Sequence, residues 1–141
     1  MYQKILVALE NGPADRTLLP HIEQLARVLN SRLHLVHVAD GWAARHFERL
    51  KLAESEEMKV DRDYLAALAV KLRAAGLEVT VELALGDPPS EIVRVAVDSR
   101  CDLIAMASHG HRLIGDIIHG STIDSVRHHS LVPLLVVRAA A

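Results

Sequence analysis

Two apolar rhythms alternate along this chain, and their order constrains its fold more than any other feature. Four runs, KILVAL (4–9), LHLVHV (33–38), DLIAMA (102–107) and VPLLVV (132–137), are short and rich in branched aliphatics. Nearly continuous apolar runs of this length read as strands buried on both faces. A fifth run, EVTVELAL (78–85), sets Val79, Val81 and Leu83 against Thr80 and Glu82. Its one wet face predicts an edge strand.

The intervening segments carry helical spacing. Residues 14–29 present Leu18, Ile22, Leu25, Ala26 and Leu29, with Pro20 expected to delay or kink the helix. Residues 43–75 present Leu65, Leu68, Ala69 and Leu72 and stop at Ala75-Gly76, where glycine suits a left-handed residue. In 88–99, Asp87 is a cap, Pro88 fits the first turn, and Ile92, Val93, Ala96 and Val97 share a face. A last helix spans 113–129. Strand and helix in strict alternation predict one α/β domain built on a parallel, doubly wound sheet.

Bulk properties narrow the function. A chain of 141 residues is one domain, of a size that buries roughly 68–70% of its unfolded surface. The single Cys101 makes no intrachain disulfide, which fits a reducing compartment. The N-terminal MYQKILVALENG is too short for a secretory signal, and no apolar run approaches the ~18 residues of a membrane span. A cytoplasmic protein is expected, without membrane insertion. Sixteen basic and eighteen acidic residues are interspersed, and aromatics make up only 3%, with Trp42 the lone tryptophan. Neither a basic surface nor a stacking platform for nucleic acid is expected.

In open parallel sheets, ligands bind outside the carboxyl ends of the strands where the strand order reverses. That directs attention to Leu9-Glu10-Asn11-Gly12, Val38-Ala39-Asp40-Gly41 and Ala107-Ser108-His109-Gly110. A Walker A loop fails: Gly110 and Gly115 are correctly separated, but Asp116-Ile117 follows instead of a lysine and a hydroxyl. No G-x-G-x-x-G follows any strand. The histidines His109, His111, His119, His128 and His129 lack the convergent spacing of a zinc site, and His34 and His37 fall on opposite faces of the second strand. Cys101, at the opposite end of a strand from His109, reads as a small core residue. No nucleophile or committed general base is legible, so an enzyme is not expected. Trp42 and Phe47, in the segment 41–60, would lie beside the strand-end site, where packing on the long helix is the commoner outcome and a lid or a partner surface the alternatives.

Nearly the whole chain nevertheless resembles the universal stress protein family. The resemblance runs through KILVALENGPAD, LHLVHV, GDPPSEIVRVA before CDLIAMASHG, then HGS and VPLLVV. It implies a Rossmann-like five-stranded parallel sheet in the order 3-2-1-4-5 and a dimeric state. The nucleotide-binding branch of the family carries G-x2-G-x9-G-[ST]; this chain reads Ala107-x2-Gly110-x9-Gly120-Ser121. Two glycines and the hydroxyl stand in register. The first glycine is replaced by Ala107, and the aspartate after the first strand by Glu10, two departures that weaken the expected binding.

By this resemblance the ligand is an adenine nucleotide, ATP with or without magnesium (Mg). Ala8, Leu9, Glu10, His37 and Val38 would border the adenine and ribose. Ala107, Ser108, His109, Gly110, His111, Arg112, Gly120, Ser121 and Thr122 would frame the ribose and phosphates. Glycine lets the backbone approach a phosphate, Ser121 offers a hydroxyl, and Arg112 a permanent charge. The implied order makes the fifth strand an edge, yet residues 131–137, LVPLLVV, are apolar on both faces. Exposed edges of that kind are normally covered, so Leu131 to Val137 is expected to pair with its counterpart in a homodimer. The reading is a nucleotide-binding stress-response or regulatory module. The alternatives are a dimeric interaction module with an empty pocket, and a slow ATP hydrolase.

Overall fold

The structure is a computed structural model that describes residues 1–39, 51–109 and 120–140. Among these, five strands, β1 (Lys4–Leu9), β2 (Arg32–Ala39), β3 (Val79–Leu85), β4 (Leu103–Ser108) and β5 (Leu134–Arg138), form one sheet in the order β3-β2-β1-β4-β5. Every pairing is parallel. Four helices cover it: α1 (Asp15–Leu29), α2 (Lys51–Ala74), α3 (Pro88–Asp98) and α4 (Gly120–His129). The first parts of the expected helices 43–75 and 113–129, and Trp42 and Phe47 with them, lie outside the described residues.

The two-residue period of β1 distributes its side chains between two cores. Ile5, Val7 and Leu9 pack with Leu18, Ile22 and Ala26 of α1 and Leu65, Ala69 and Leu72 of α2. Leu6 and Ala8 pack on the other face with Ile92, Val95 and Ala96 of α3 and Val126 of α4. Residues 5–9 are at most 2% exposed. A central strand buried on both sides explains why the run KILVAL shows no polar alternation. In α3 the buried face is completed by Val95; Val97, expected on it, is 63% exposed.

Pro20 neither delays nor ends the first helix, which starts at Asp15 and runs through it to Leu29. Its ring is exposed, and its missing N–H costs one backbone bond while Leu18 and Ile22 on either side are fully buried. The tertiary burial outweighs the local penalty. The long helix ends as its sequence implies: Gly76 takes φ +96°, and the amides of Gly76 and Leu77 donate to the carbonyls of Arg73 and Leu72. This is a Schellman closure. Asp87 caps α3, accepting from the Ser90 amide at 3.3 Å, with Pro88 next in line.

The outer strand β3 is an edge, as its sequence implies, but its two faces are not cleanly dry and wet. Val81 is 38% exposed. The polar face is put to use: Thr80 Oγ1 lies 2.5 Å from His34 Nδ1, and Glu82 accepts from Arg94 of α3 at 2.9 Å. His34 and His37 fall on opposite faces of β2, since His34 alternates with Leu33 and Leu35 of the first core. Cys101 is buried before β4, and burial pushes its thiol pKa up to about 11. It lies at the other end of that strand from His109.

Two outcomes follow from these contacts. Gly76→Ala forces a side chain into the left-handed region and lowers the unfolding free energy by about 1 kcal/mol, measured by urea denaturation with an unchanged slope. Burial holds the His34 imidazole below its ordinary pKa, against the opposing influence of Glu82. Because the folded state binds the proton less readily than the unfolded chain, the stability linked to His34 is fully present above about pH 6.5. It is lost as the pH falls through the folded pKa. The melting temperature of His34→Gln therefore declines less steeply than that of the parent on acidification from pH 7 towards 5.

Candidate functional site

All five strands run the same way, so Leu9, Ala39, Leu85, Ser108 and Arg138 mark one end of the sheet. The chain leaves β1 to build β2 on one side and returns later to build β4 on the other. The strand order reverses between β1 and β4, the position where parallel sheets open a crevice.

Glu10 leaves β1 and His109 leaves β4 at this point, and the two meet. The ring Nε2 of His109 donates to the Glu10 carboxylate, lying 2.9 Å and 3.0 Å from its two oxygens. Their side chains are only 8% and 7% exposed. A hydrogen bond to a carboxylate in such a sheltered place is charge-assisted and stronger than its surface equivalent. The contact bridges the two strands that flank the crevice, 99 residues apart in sequence.

Behind Glu10 the turn into α1 is held by Asp15. Its Oδ1 accepts the Glu10 amide at 3.0 Å, and its Oδ2 accepts the Asn11 amide at 3.0 Å together with the Tyr64 hydroxyl. Asp15 is 2% exposed, so its charge is stabilised by these three donors rather than by water. Burial, reinforced by the bond to Asp15, holds the Tyr64 phenol well above its ordinary pKa. Asn11 takes φ +58°, a conformation its residue type tolerates, and its amide donates to Asp61 Oδ1 at 2.9 Å.

His37 is drawn into the same structure. Its Nδ1 donates to the Leu9 carbonyl at 2.9 Å, and its Nε2 lies 3.4 Å from Asp61 Oδ2. The end of β1, the end of β2 and the helix α2 are thereby joined through polar contacts on 3% exposed His37.

The other residues singled out from sequence fall into four groups. Ala8, Leu9, Val38 and Ala107 are core residues, none more than 4% exposed. Ala107 packs in the cluster beneath α1 and α2, so its methyl fills that core. Ser108 is half-buried at the end of β4, and the His109 side chain beyond it is sheltered against Glu10. Gly120 and Ser121, both exposed, and buried Thr122 open the described part of α4, which leans on β4 through Val126. Gly110, His111 and Arg112 lie outside the described residues. Among the described residues no three His, Cys, Asp or Glu side chains are grouped to hold a metal ion, and no helix is long and apolar enough to cross a membrane.

Asp15, Asp61 and Tyr64 escaped sequence reasoning. Asp15 carried a signal, an acidic residue in the first turn of a helix directly after a strand. Asp61 and Tyr64 carried none, because they join the site from a helix some fifty residues away.

The chain is 26% identical over 160 residues to universal stress protein MJ0577 of Methanocaldococcus jannaschii, spanning 98% of this chain and 96% of that one. The solved structure of MJ0577 superposes with a TM-score of 0.80, covering 100% of this chain and 99% of the other. Two further structures share the fold with TM-scores of 0.68. One is a universal stress protein in complex with cAMP, 19% identical and covering 99% and 98% of the two chains. The other is the universal stress protein of Archaeoglobus fulgidus in complex with dAMP, 21% identical and covering the same shares. The model of the Universal stress protein family matches residues 1–138. With its sheet order and strand-end crevice, the chain belongs to the universal stress protein family.

Proposed function

We propose that this protein is a regulatory module that binds an adenine nucleotide, with ATP as the expected form, at the carboxyl ends of β1, β2 and β4 and the start of α4. The carrying observation is Gly120. Its φ is not in the left-handed region, and a Cβ built on it would meet nothing within 4 Å among the described residues. Among the described residues, nothing asks for glycine there. A close-approaching ligand does, since the absence of a side chain lets a phosphate reach the backbone.

Supporting this, Gly120 and Ser121 stand in the family's nucleotide register with Gly110. Two relatives of the same fold form complexes with cAMP and dAMP. In this reading Glu10, Ser108 and His109 face the ribose, with the backbone of Ala8, Leu9, His37, Val38 and Ala107 forming the walls. Gly110, His111, Arg112, Ser121 and Thr122 address the phosphates, with magnesium as their counter-ion. The methyl of Ala107, packed into the core, leaves the crevice unobstructed.

One observation favours the rival reading, an interaction module of the same fold without nucleotide. The Glu10 carboxylate already has a strong donor in His109. A ribose hydroxyl must share or displace that bond.

Denaturing freshly purified protein and separating the supernatant by ion exchange distinguishes the two. ATP, ADP or AMP near one per chain is expected, and Gly120→Val, whose added Cβ meets nothing among the described residues, should empty the site while leaving the melting temperature of ligand-free protein little changed. A clean supernatant together with no binding at millimolar ATP and magnesium gives the role to the rival.

We further propose that the module is a homodimer paired through β5. The strand is the outermost of the sheet, with Val136 41% exposed and Leu131 fully exposed beside it. In the described tail, Ala139 donates to Ser108 of β4 and Ala140 to Thr17 of α1, both away from this edge. Light scattering at micromolar concentration should give twice the 15.5 kDa chain mass. Val136→Lys should return the monomer by placing a charge at the join.

A further inference from the structure

The helical layer over the first face of the sheet contains a cleft between α1 and α2. Its volume is about 500 Å³, and its floor is formed by Leu19, Tyr64, Leu68 and Leu72. Small-molecule sites fall in the range of about 300–1,000 Å³ and combine an apolar floor with a few polar groups. Its upper end is lined by Asn11, Gly12 and Pro13 of the turn after β1, so it abuts the strand-end crevice, but its body lies between the helices and neither Ser108, His109 nor Gly120 lines it.

Its charges are unevenly committed. Arg16 of α1 and Lys71 of α2 line it from opposite sides, both exposed, and neither has an ion-pair partner among the described residues. The acidic lining groups are already engaged. Asp15 holds two backbone amides and the Tyr64 hydroxyl. Glu23 pairs with Arg27 one turn along α1, at 3.2 Å. Two uncommitted cations above an apolar floor match a ligand with one anionic head and an apolar body. The Glu23 carboxylate in the wall disfavours a doubly charged phosphate relative to a single carboxylate.

We propose that the cleft between α1 and α2 is a second ligand site of this protein, binding a small amphipathic carboxylate such as a medium-chain fatty acid or an arylalkyl acid. Arg16 and Lys71 hold the carboxylate, and Leu19, Tyr64, Leu68 and Leu72 cover the apolar body. Because Asn11, Gly12, Pro13 and Asp15 of the turn after β1 also line the cleft, the two sites meet at that turn.

The test uses the full chain and decanoate, titrated at neutral pH and followed by calorimetry and amide chemical shifts. Saturable binding near one per chain is expected, with shifts clustered at Leu19, Leu68 and Leu72. Arg16→Gln/Lys71→Gln, two exposed positions that leave the core intact, should weaken decanoate about tenfold or more. Decylamine, with the same body and the opposite charge, should not bind. Gly120→Val should leave decanoate binding unchanged, so the result is independent of the nucleotide reading. The proposal is overturned if decanoate fails to saturate at millimolar concentration, if the double variant binds it as tightly as the parent, or if the shifts gather at the strand ends. It is equally overturned if light scattering shows that the double variant or decanoate separates a dimer, because the cleft would then be an interface between two copies.

Discussion

The whole structure depends on one strand being dry on both faces. β1 contributes Ile5, Val7 and Leu9 to one core and Leu6 and Ala8 to the other, so the two helical layers are assembled on the same five residues. Burying apolar surface stabilises by roughly 25 cal/mol per Å², and a strand covered twice gathers that contribution on both sides. Its backbone groups must then all be satisfied by neighbours, which β2 and β4 provide. A strand so enclosed has only its carboxyl end available for polar chemistry. That is where Glu10 emerges.

The polar architecture of that end follows from the same enclosure. A chain leaving a buried strand carries amides that water cannot reach, and the Asp15 carboxylate meets those of Glu10 and Asn11. A buried carboxylate in turn needs donors, and Tyr64 supplies another. His37 and Asp61 extend the arrangement to β2 and α2. Each partner satisfies a group that would otherwise cost free energy to bury. Glu10 and His109 form the outermost member of the series, poised at the crevice itself.

Much of this was legible in the sequence. KILVAL coincides with β1, and LHLVHV, DLIAMA and VPLLVV match β2, β4 and β5 to within one or two residues at their ends. Gly76 and Asp87 ended and began helices where their backbone preferences imply. Local rules were less successful where tertiary packing outweighed them. Pro20 remained within α1 because Leu18 and Ile22 anchor the helix, and Val97 turned outward while Val95 took the buried position. The polar face of β3 was legible as wet, but not as the partner of His34 and Arg94. Those contacts join residues 46 and 12 positions apart, beyond any periodicity.

By itself the sequence determined the class of fold, the approximate elements and the end of the sheet that carries a crevice, because strand and helix periodicities are local and their alternation restricts topology. Tertiary structure alone decided which polar groups meet: Glu10 with His109, Asp15 with Tyr64, Asn11 and His37 with Asp61. It also decided that the methyl of Ala107 fills a core, and that Arg16 of α1 and Lys71 of α2 line one cleft. The reason is physical. Burial of an apolar run is recorded in its own pattern, whereas a hydrogen bond or charge pair depends on two positions whose separation in space is set only when the sheet and its helices close around β1.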